Sequence, residues 1–202
     1  MRRWAAAAIA VTAHRPQSAT GRSNVGAMPI EPDLKDWTWV LERRCPECGF
    51  SGAEVAVDDL GPMIRDNALA WIAVLGADDV TVRPTEDRWS ALEYACHVRD
   101  VFRIYDQRLA LMLAEDDPPF PNWDQDASAV DDAYNDQDPA VVATEIVMAG
   151  NRLADAFDAV TGDQWARTGV RSDGVAFTVD TFGRYFIHDP IHHLVDVGAE
   201  QA

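Results

Sequence analysis

The sequence predicts an all-α fold, a four-helix bundle with an irregular N-terminal extension, on three observations. Four stretches space their apolar residues helically rather than by alternation. One of them opens on a capping box, Ser90 followed by Glu93. No convincing run of strands separates the four stretches, and antiparallel packing of four amphipathic helices buries all four apolar faces.

Each helix has its own signals. The first is expected from about Ala53 to Leu75, through Val55, Leu60, Ile64, Leu69, Ile72 and Leu75. Pro62 either kinks it or marks its first turn. After a turn at Gly76-Ala77-Asp78-Asp79, the second helix should run from Ala91 to Ala114 through Leu92, Val98, Phe102, Tyr105, Leu109 and Met112. Trp89 stands where a hydrophobic staple would pack on the first turn. The acidic, proline-rich stretch E-D-D-P-P-F-P-N-W-D-Q-D ends that helix and reads as a lid or a crossover. Asp138 as cap and Pro139 as first residue open a third helix, which reaches about Val160 before Thr161-Gly162. An irregular stretch, T-G-V-R-S-D-G-V-A-F-T, leads to the fourth, from about Val179 to Val197.

Ahead of the bundle domain (53–202) lie two segments. Residues 28–52 read as irregular, with a C-P-E-C-G turn and with Trp37 and Trp39 on one side if the chain is extended there. Residues 1–27 read as a disordered tail or an over-extended start. Their first residues, M-R-R-W-A-A-A-A-I-A-V-T-A, imitate a secretory signal, but Met28 opens the sequence that looks ordered.

Composition limits the partners. The chain has 202 residues, 17 basic and 34 acidic, for a net charge of −17. Such a chain is a poor ligand for phosphate backbones or anionic membrane faces, so no nucleic acid and no membrane partner is expected. Three cysteines make no disulfide framework and suggest a reducing compartment, hence the cytoplasm.

The chemistry concentrates in two histidine segments. The first, W-S-A-L-E-Y-A-C-H, ends at His97, and the second, Y-F-I-H-D-P-I-H-H-L-V-D-V, holds His188, His192 and His193. His188 and His192 are four apart, about 40° in azimuth on a helix, so their rings leave one face. With His97 from another helix they would make a three-nitrogen metal site with an open position, while His193 would point elsewhere. Glu93, Asp100 and Asp196 are candidates to hold a ring N–H of these histidines from behind. Pro190 between the two should bend or open the helix. Ordinary core histidines are the bland alternative.

The pattern W-S-x-x-E-Y-x-x-H-V-R-D followed by R-Y-x-x-H-D-P-x-H-H-L-x-D-V resembles the DinB superfamily (DinB/YfiT-like proteins), including its mycothiol-dependent maleylpyruvate isomerase-like actinobacterial branch. The resemblance spans roughly residues 54–197. It implies a four-helix bundle with a divalent ion, zinc or nickel, on His97, His188 and His192. It further implies a thiol-dependent transferase or isomerase of the mycothiol type acting on small electrophiles. A low-molecular-weight thiol would then be a second cofactor. A non-catalytic bundle that binds a metal or a small ligand is the alternative, and a homodimer is compatible with either. No residue stands out as a general base.

The C-P-E-C-G turn has the form of a zinc knuckle, but a zinc ribbon needs two such pairs. Beyond the histidine triad the chain offers only Cys96, His14 and His193 to complete it. A complete zinc site within one chain is therefore not expected at Cys45 and Cys48, which read as a tight turn with packed or free thiols; a redox dithiol and half of a zinc site shared between subunits are the alternatives. Cys96 reads as a small core residue, Trp71, Trp89 and Trp165 as core aromatics, and Trp123 as a substrate-facing or an interface aromatic.

Overall fold

The computed structural model describes residues 30 and 35–199. The tail assigned to residues 1–27 lies outside the described residues. Along the chain come α1 (Leu60–Leu75), α2 (Ala91–Ala114), α3 (Gln125–Asp131), α4 (Pro139–Asp158), β1 (Thr168–Val170), β2 (Ala176–Thr178) and α5 (Val179–Asp196). The long helices α1, α2, α4 and α5 form the bundle. Both α1 and α2 pack against α4 and against α5, whereas α1 and α2 barely meet each other. The order around the bundle is thus α1, α4, α2, α5, with α1 diagonal to α2 and α4 diagonal to α5.

Local chemistry explains most boundaries. Ser90 Oγ accepts from the Glu93 backbone N–H at 3.2 Å, and Glu93 Oε2 accepts from the Ser90 N–H at 2.8 Å, which closes the predicted capping box of α2. The Trp89 ring meets Tyr94 edge-on at 5.5 Å, the contact a hydrophobic staple makes. Asp138 caps α4 by accepting from Ala140 N–H at 2.8 Å, with Pro139 in its first position.

The first helix begins later than its apolar spacing suggests. Gly52–Glu54 and Val57–Asp59 are isolated 3-10 turns, and α1 starts at Leu60 with Pro62 in its first turn, where a missing N–H costs nothing. Its buried stripe is Leu60, Ile64, Ala68, Trp71 and Leu75, while Leu69 and Ile72 are 53% and 48% exposed. Counting only large aliphatics hid the Ala68 and Trp71 positions of that stripe. Two further elements had no sequence signal of their own. Within the acidic proline loop, Asp124 caps the short helix α3. Ahead of α5, β1 and β2 form an antiparallel hairpin with Gly169 opposite Phe177, its strands too short for alternation to be seen. Phe120 N–H donates to Val170 O at 2.8 Å, which ties the loop to the hairpin. Before α1, Thr38–Leu41 is a 3-10 turn rather than a strand, packed on α5.

The core is aromatic. Trp71, Phe102, Phe157, Phe182 and Phe186 are all buried, and Trp165 stacks on Phe157. Helices α1, α2 and α4 approach closely at Gly150, where an added Cβ would lie 2.7 Å from Ala68 Cβ and 3.2 Å from Phe102 Cε2. Ala68 cannot yield without moving backbone. Gly150→Val should therefore destabilise the fold by about 1–3 kcal/mol through overpacking. Met148→Ala, at a 68% exposed site two residues away, should change stability by less than about 0.5 kcal/mol. Urea unfolding of the two variants checks the contrast.

Candidate metal centres

Helix α5 starts at a capping box, Thr178 with Thr181, and runs through Pro190 to Asp196 without breaking, so the expected opening at the proline is not present. Residue 190 donates no hydrogen bond, yet the flanking turns hold. The segment H-D-P-I-H-H then offers two pairs at i, i+4: His188 with His192, and Asp189 with His193. Adjacent residues diverge by about 100°, so the pairs face different neighbours.

The first group faces α2. Donor atoms of His97, Asp189 and His193 lie within 4.8 Å of one another. His97 Nε2 and His193 Nε2 approach Asp189 Oδ1 at 3.4 and 3.7 Å. Both ring nitrogens of His97 and the Oδ1 of Asp189 are buried and make no well-formed hydrogen bond among the described residues, the 3.4 Å approach of Nε2 to Oδ1 being their nearest pairing. His193 Nδ1 is 2.9 Å from Asp196 Oδ2. A proton on Nδ1 donated to that carboxylate leaves the Nε2 lone pair facing His97 and Asp189. Trp123 stacks on His97 at 5.6 Å and 10°, and Tyr94 lies over His193 at 4.9 Å. Burial pushes the Asp189 carboxyl up, but the imidazoles of His97 and His193 outweigh it and hold it well below the usual range.

The second group faces the N-terminal segment. Cys45, Cys48, His188 and His192 also bring donor atoms within 4.8 Å of one another. The expected triad of His97, His188 and His192 is thus divided. His188 and His192 share a face as the spacing requires, but that face meets the C-P-E-C-G turn. His97 meets the neighbouring face, with His193 and Asp189 as its partners. The expectation that no histidine stands near Cys45 and Cys48 is corrected for the same reason, since it spent His188 and His192 on His97. The signal for Asp189 and His193 was available in their own i, i+4 spacing.

The three carboxylates proposed as supports separate likewise. Glu93 is held by its cap and by Arg83, whose Nε donates at 2.8 Å. Asp100 binds Arg99 at 2.9 Å and the Tyr134 hydroxyl at 2.6 Å. Of the three, only Asp196 hydrogen-bonds a histidine, His193 at 2.9 Å, while it stays 4.0 Å from His192.

A cavity of about 970 Å³ opens beside both groups, with Asp189 and His193 of the first, His188 and His192 of the second, and Trp123 and Arg108 in its wall. Trp123 is therefore at the cavity, as its loop position suggested. Cys96 is a core residue, and burial pushes its thiol up to about 12.

A helical bundle with polar donors gathered inside it and a cavity beside them defines a bundle protein with groups that could hold a metal ion. Residues 63–196 match the family model of the DinB superfamily, so the chain belongs to that superfamily. Among solved structures it is similar to YfiT from Bacillus subtilis, described as a probable metal-dependent hydrolase with an unusual four-helix bundle topology. The TM-score is 0.63 at 17% identity, over 70% of this chain and 85% of that one. No curated protein matches.

Asp100 allows a test of its structural role. Burial raises its carboxyl, but the Arg99 and Tyr134 hydrogen bonds more than offset this, and its pKa is lowered from 3.8. A carboxyl depressed on folding stabilises the protein above its unfolded pKa and loses that contribution as pH falls through the folded value. Asp100→Asn should cost about 1–3 kcal/mol at pH 6. The gap to the unmodified protein should narrow steadily as the pH is lowered below about 4. Denaturant unfolding across that range reads it.

Proposed function

We propose that this chain is a metal-dependent enzyme for small molecules, its divalent ion, zinc or nickel, held by His97, Asp189 and His193. In the finer reading it is a thiol-dependent transferase or isomerase of the mycothiol type, acting on small electrophiles. The observation that carries the proposal is the convergence of unpartnered buried donors of His97 and Asp189 beneath the cavity. Leaving such atoms unpaired costs about 1–3 kcal/mol each, and an ion on them removes that cost. Two imidazoles and a carboxylate suit a catalytic ion, because three protein donors leave a position open. A bound divalent ion there supplies Lewis acidity, lowering the pKa of a thiol or water.

The protein's own residues support such chemistry. Asp196 fixes the tautomer of His193, while Trp123 and Tyr94 hold the two rings in place and shield them from solvent. Arg108 lines the cavity, donates to Pro121 O at 3.2 Å and has no carboxylate partner among the described residues. In so acidic a chain, that guanidinium suits the carboxylate of a substrate or of a thiol cofactor. The cavity volume suits a small thiol together with its electrophile.

Hydrolysis is the second reading. It is favoured by the two-imidazole, one-carboxylate donor set, which hydrolytic zinc enzymes use, and by the description of YfiT.

Metal-loaded protein should consume an electrophile such as maleylpyruvate only when mycothiol, bacillithiol or glutathione is present. Thiol-independent cleavage of an ester or amide panel would favour hydrolysis instead. His97→Ala should remove the activity and the metal of this centre. Asp196→Asn should lower metal affinity or turnover by about 10–100-fold. Full activity in His97→Ala would refute the assignment.

A further inference from the structure

We propose a second metal site, a closed Cys2His2 zinc centre formed by Cys45, Cys48, His188 and His192, which clamps the N-terminal segment onto α5. It is independent of the reading given for His97, Asp189 and His193. Four donors of the right chemistry stand together, two thiols and two imidazoles, all within 4.8 Å. Tetrahedral zinc with bonds of 2.0–2.3 Å separates its donors by about 3.3–3.8 Å, and Cys45 Sγ already lies 3.8 Å from His192 Nδ1.

The cysteines sit in the backbone turn that such a centre needs. Gly49 N–H donates to Cys45 O at 2.9 Å and Cys45 N–H to Phe50 O at 2.7 Å. Gly49 follows in the left-handed region, at φ +76°, which glycine adopts without strain. The thiols are free rather than joined in a disulfide. On the helix side, His188 Nε2 is buried without a hydrogen-bond partner among the described residues. With Nδ1 of His192 turned to Cys45, its Nε2 lies 3.4 Å from Glu47 Oε2. Zinc-bound imidazoles characteristically place such a carboxylate behind the ring. Trp37 packs on both histidines at 5.2 Å and Phe50 on His188 at 5.4 Å, which encloses the group in aromatic surface. Four protein donors leave no open position, so the role is structural.

The clamp has a consequence for the cavity. Lys35, Trp37 and Glu47 belong to the cavity wall, and the turn that contains Cys45 and Cys48 is what fastens this segment to the bundle. Residues 35–59 precede the part of the chain that matches the superfamily model, which starts at residue 63. The clamp thus attaches an added wall to a shared scaffold.

Metal analysis and cobalt substitution of the full chain test this. Zinc content should fall by one per chain in Cys45→Ser/Cys48→Ser and, separately, by one in His97→Ala/His193→Ala. Cobalt(II) in the unmodified chain should give thiolate-to-metal charge transfer with tetrahedral ligand-field bands. Those bands should disappear in the cysteine variant and survive in His97→Ala/His193→Ala. Should the cysteine variant fail to fold, the unmodified chain still decides, because zinc should protect both thiols from a disulfide reagent until a chelator removes it. Chelation should also speed tryptic cleavage at Arg43 and Arg44, which are exposed beside the turn. Unchanged zinc content in a folded cysteine variant, or cobalt without a thiolate band, would overturn the proposal. So would thiols that react equally with and without zinc.

Discussion

The chemistry of this protein depends on how one buried helix is turned. Consecutive side chains on α5 leave the axis about 100° apart, so Asp189 and His193 meet α2 while His188 and His192 meet the N-terminal segment. A rotation by one residue would carry one pair into the other's place, turn the other pair away, and leave neither group with its partners. That azimuth is set by the apolar residues of the same helix. Phe182, Phe186, Ile187 and Leu194 are buried, and Phe186 contacts Phe102, Tyr105 and Phe157 from three sides. Gly183 leaves room for Leu60 and Phe157, since an added Cβ there would lie 2.5 and 3.0 Å from their side-chain atoms. Aromatic packing thus orients the helix, and the donors follow.

Much of this was legible in the sequence, and unevenly so. The bundle helices announced themselves by caps and period, and three of the four lie within two residues of their expected limits. The fourth, α1, was drawn seven residues too early because Val55 fits the period by chance. What failed was the partition of the histidines. Spacing identifies which residues share a face of α5, but the face's neighbour is a tertiary fact, decided by which segment covers it. The C-P-E-C-G turn looked incomplete because its partners lie about 140 residues away, on a helix already assigned to another role. Asp189 was passed over because a carboxylate beside a histidine row reads as solvated surface until its Oδ1 is found buried.

The division into two groups also separates two kinds of centre. At Cys45, Cys48, His188 and His192 the donors are complete and the surroundings aromatic, which suits a permanent ion. At His97, Asp189 and His193 a carboxylate replaces one soft or neutral donor, and only three protein donors are gathered beside the cavity that residues of both groups line. Aspartate lowers the net charge of a divalent centre by one relative to three imidazoles, which weakens its Lewis acidity but tightens its hold on a hard ion. It also brings the side chain that reaches the cavity, for Asp189 is 39% exposed while its Oδ1 is covered. One oxygen can then serve the centre while the other faces a bound molecule. Arg108, over Tyr105, brings a guanidinium to the same cavity wall, whereas Arg171 there is paired with Asp173.

The unpaired atoms of the bare chain support the same division energetically. Among the described residues, the buried polar atoms without a hydrogen bond are those of Asn67, His97, Asp180, Arg184, His188 and Asp189. Asp180 and Arg184 pair with each other at 2.5 Å, which removes them from the reckoning. Apart from the Asn67 amide, what remains belongs to the two donor groups. A folded chain rarely buries such atoms without a partner, because each costs about 1–3 kcal/mol. His97 Nε2 and Asp189 Oδ1 face each other at 3.4 Å, and the two groups gather most of the remaining unsatisfied buried side-chain polar atoms among the described residues. Ions that occupy them would bind the folded chain in preference to the unfolded one, so stability and metal availability are coupled by mass action. The N-terminal segment depends on this most, since its attachment rests on a short run of 3-10 turns and the aromatic contacts of Trp37 and Phe50 rather than on a helix of its own.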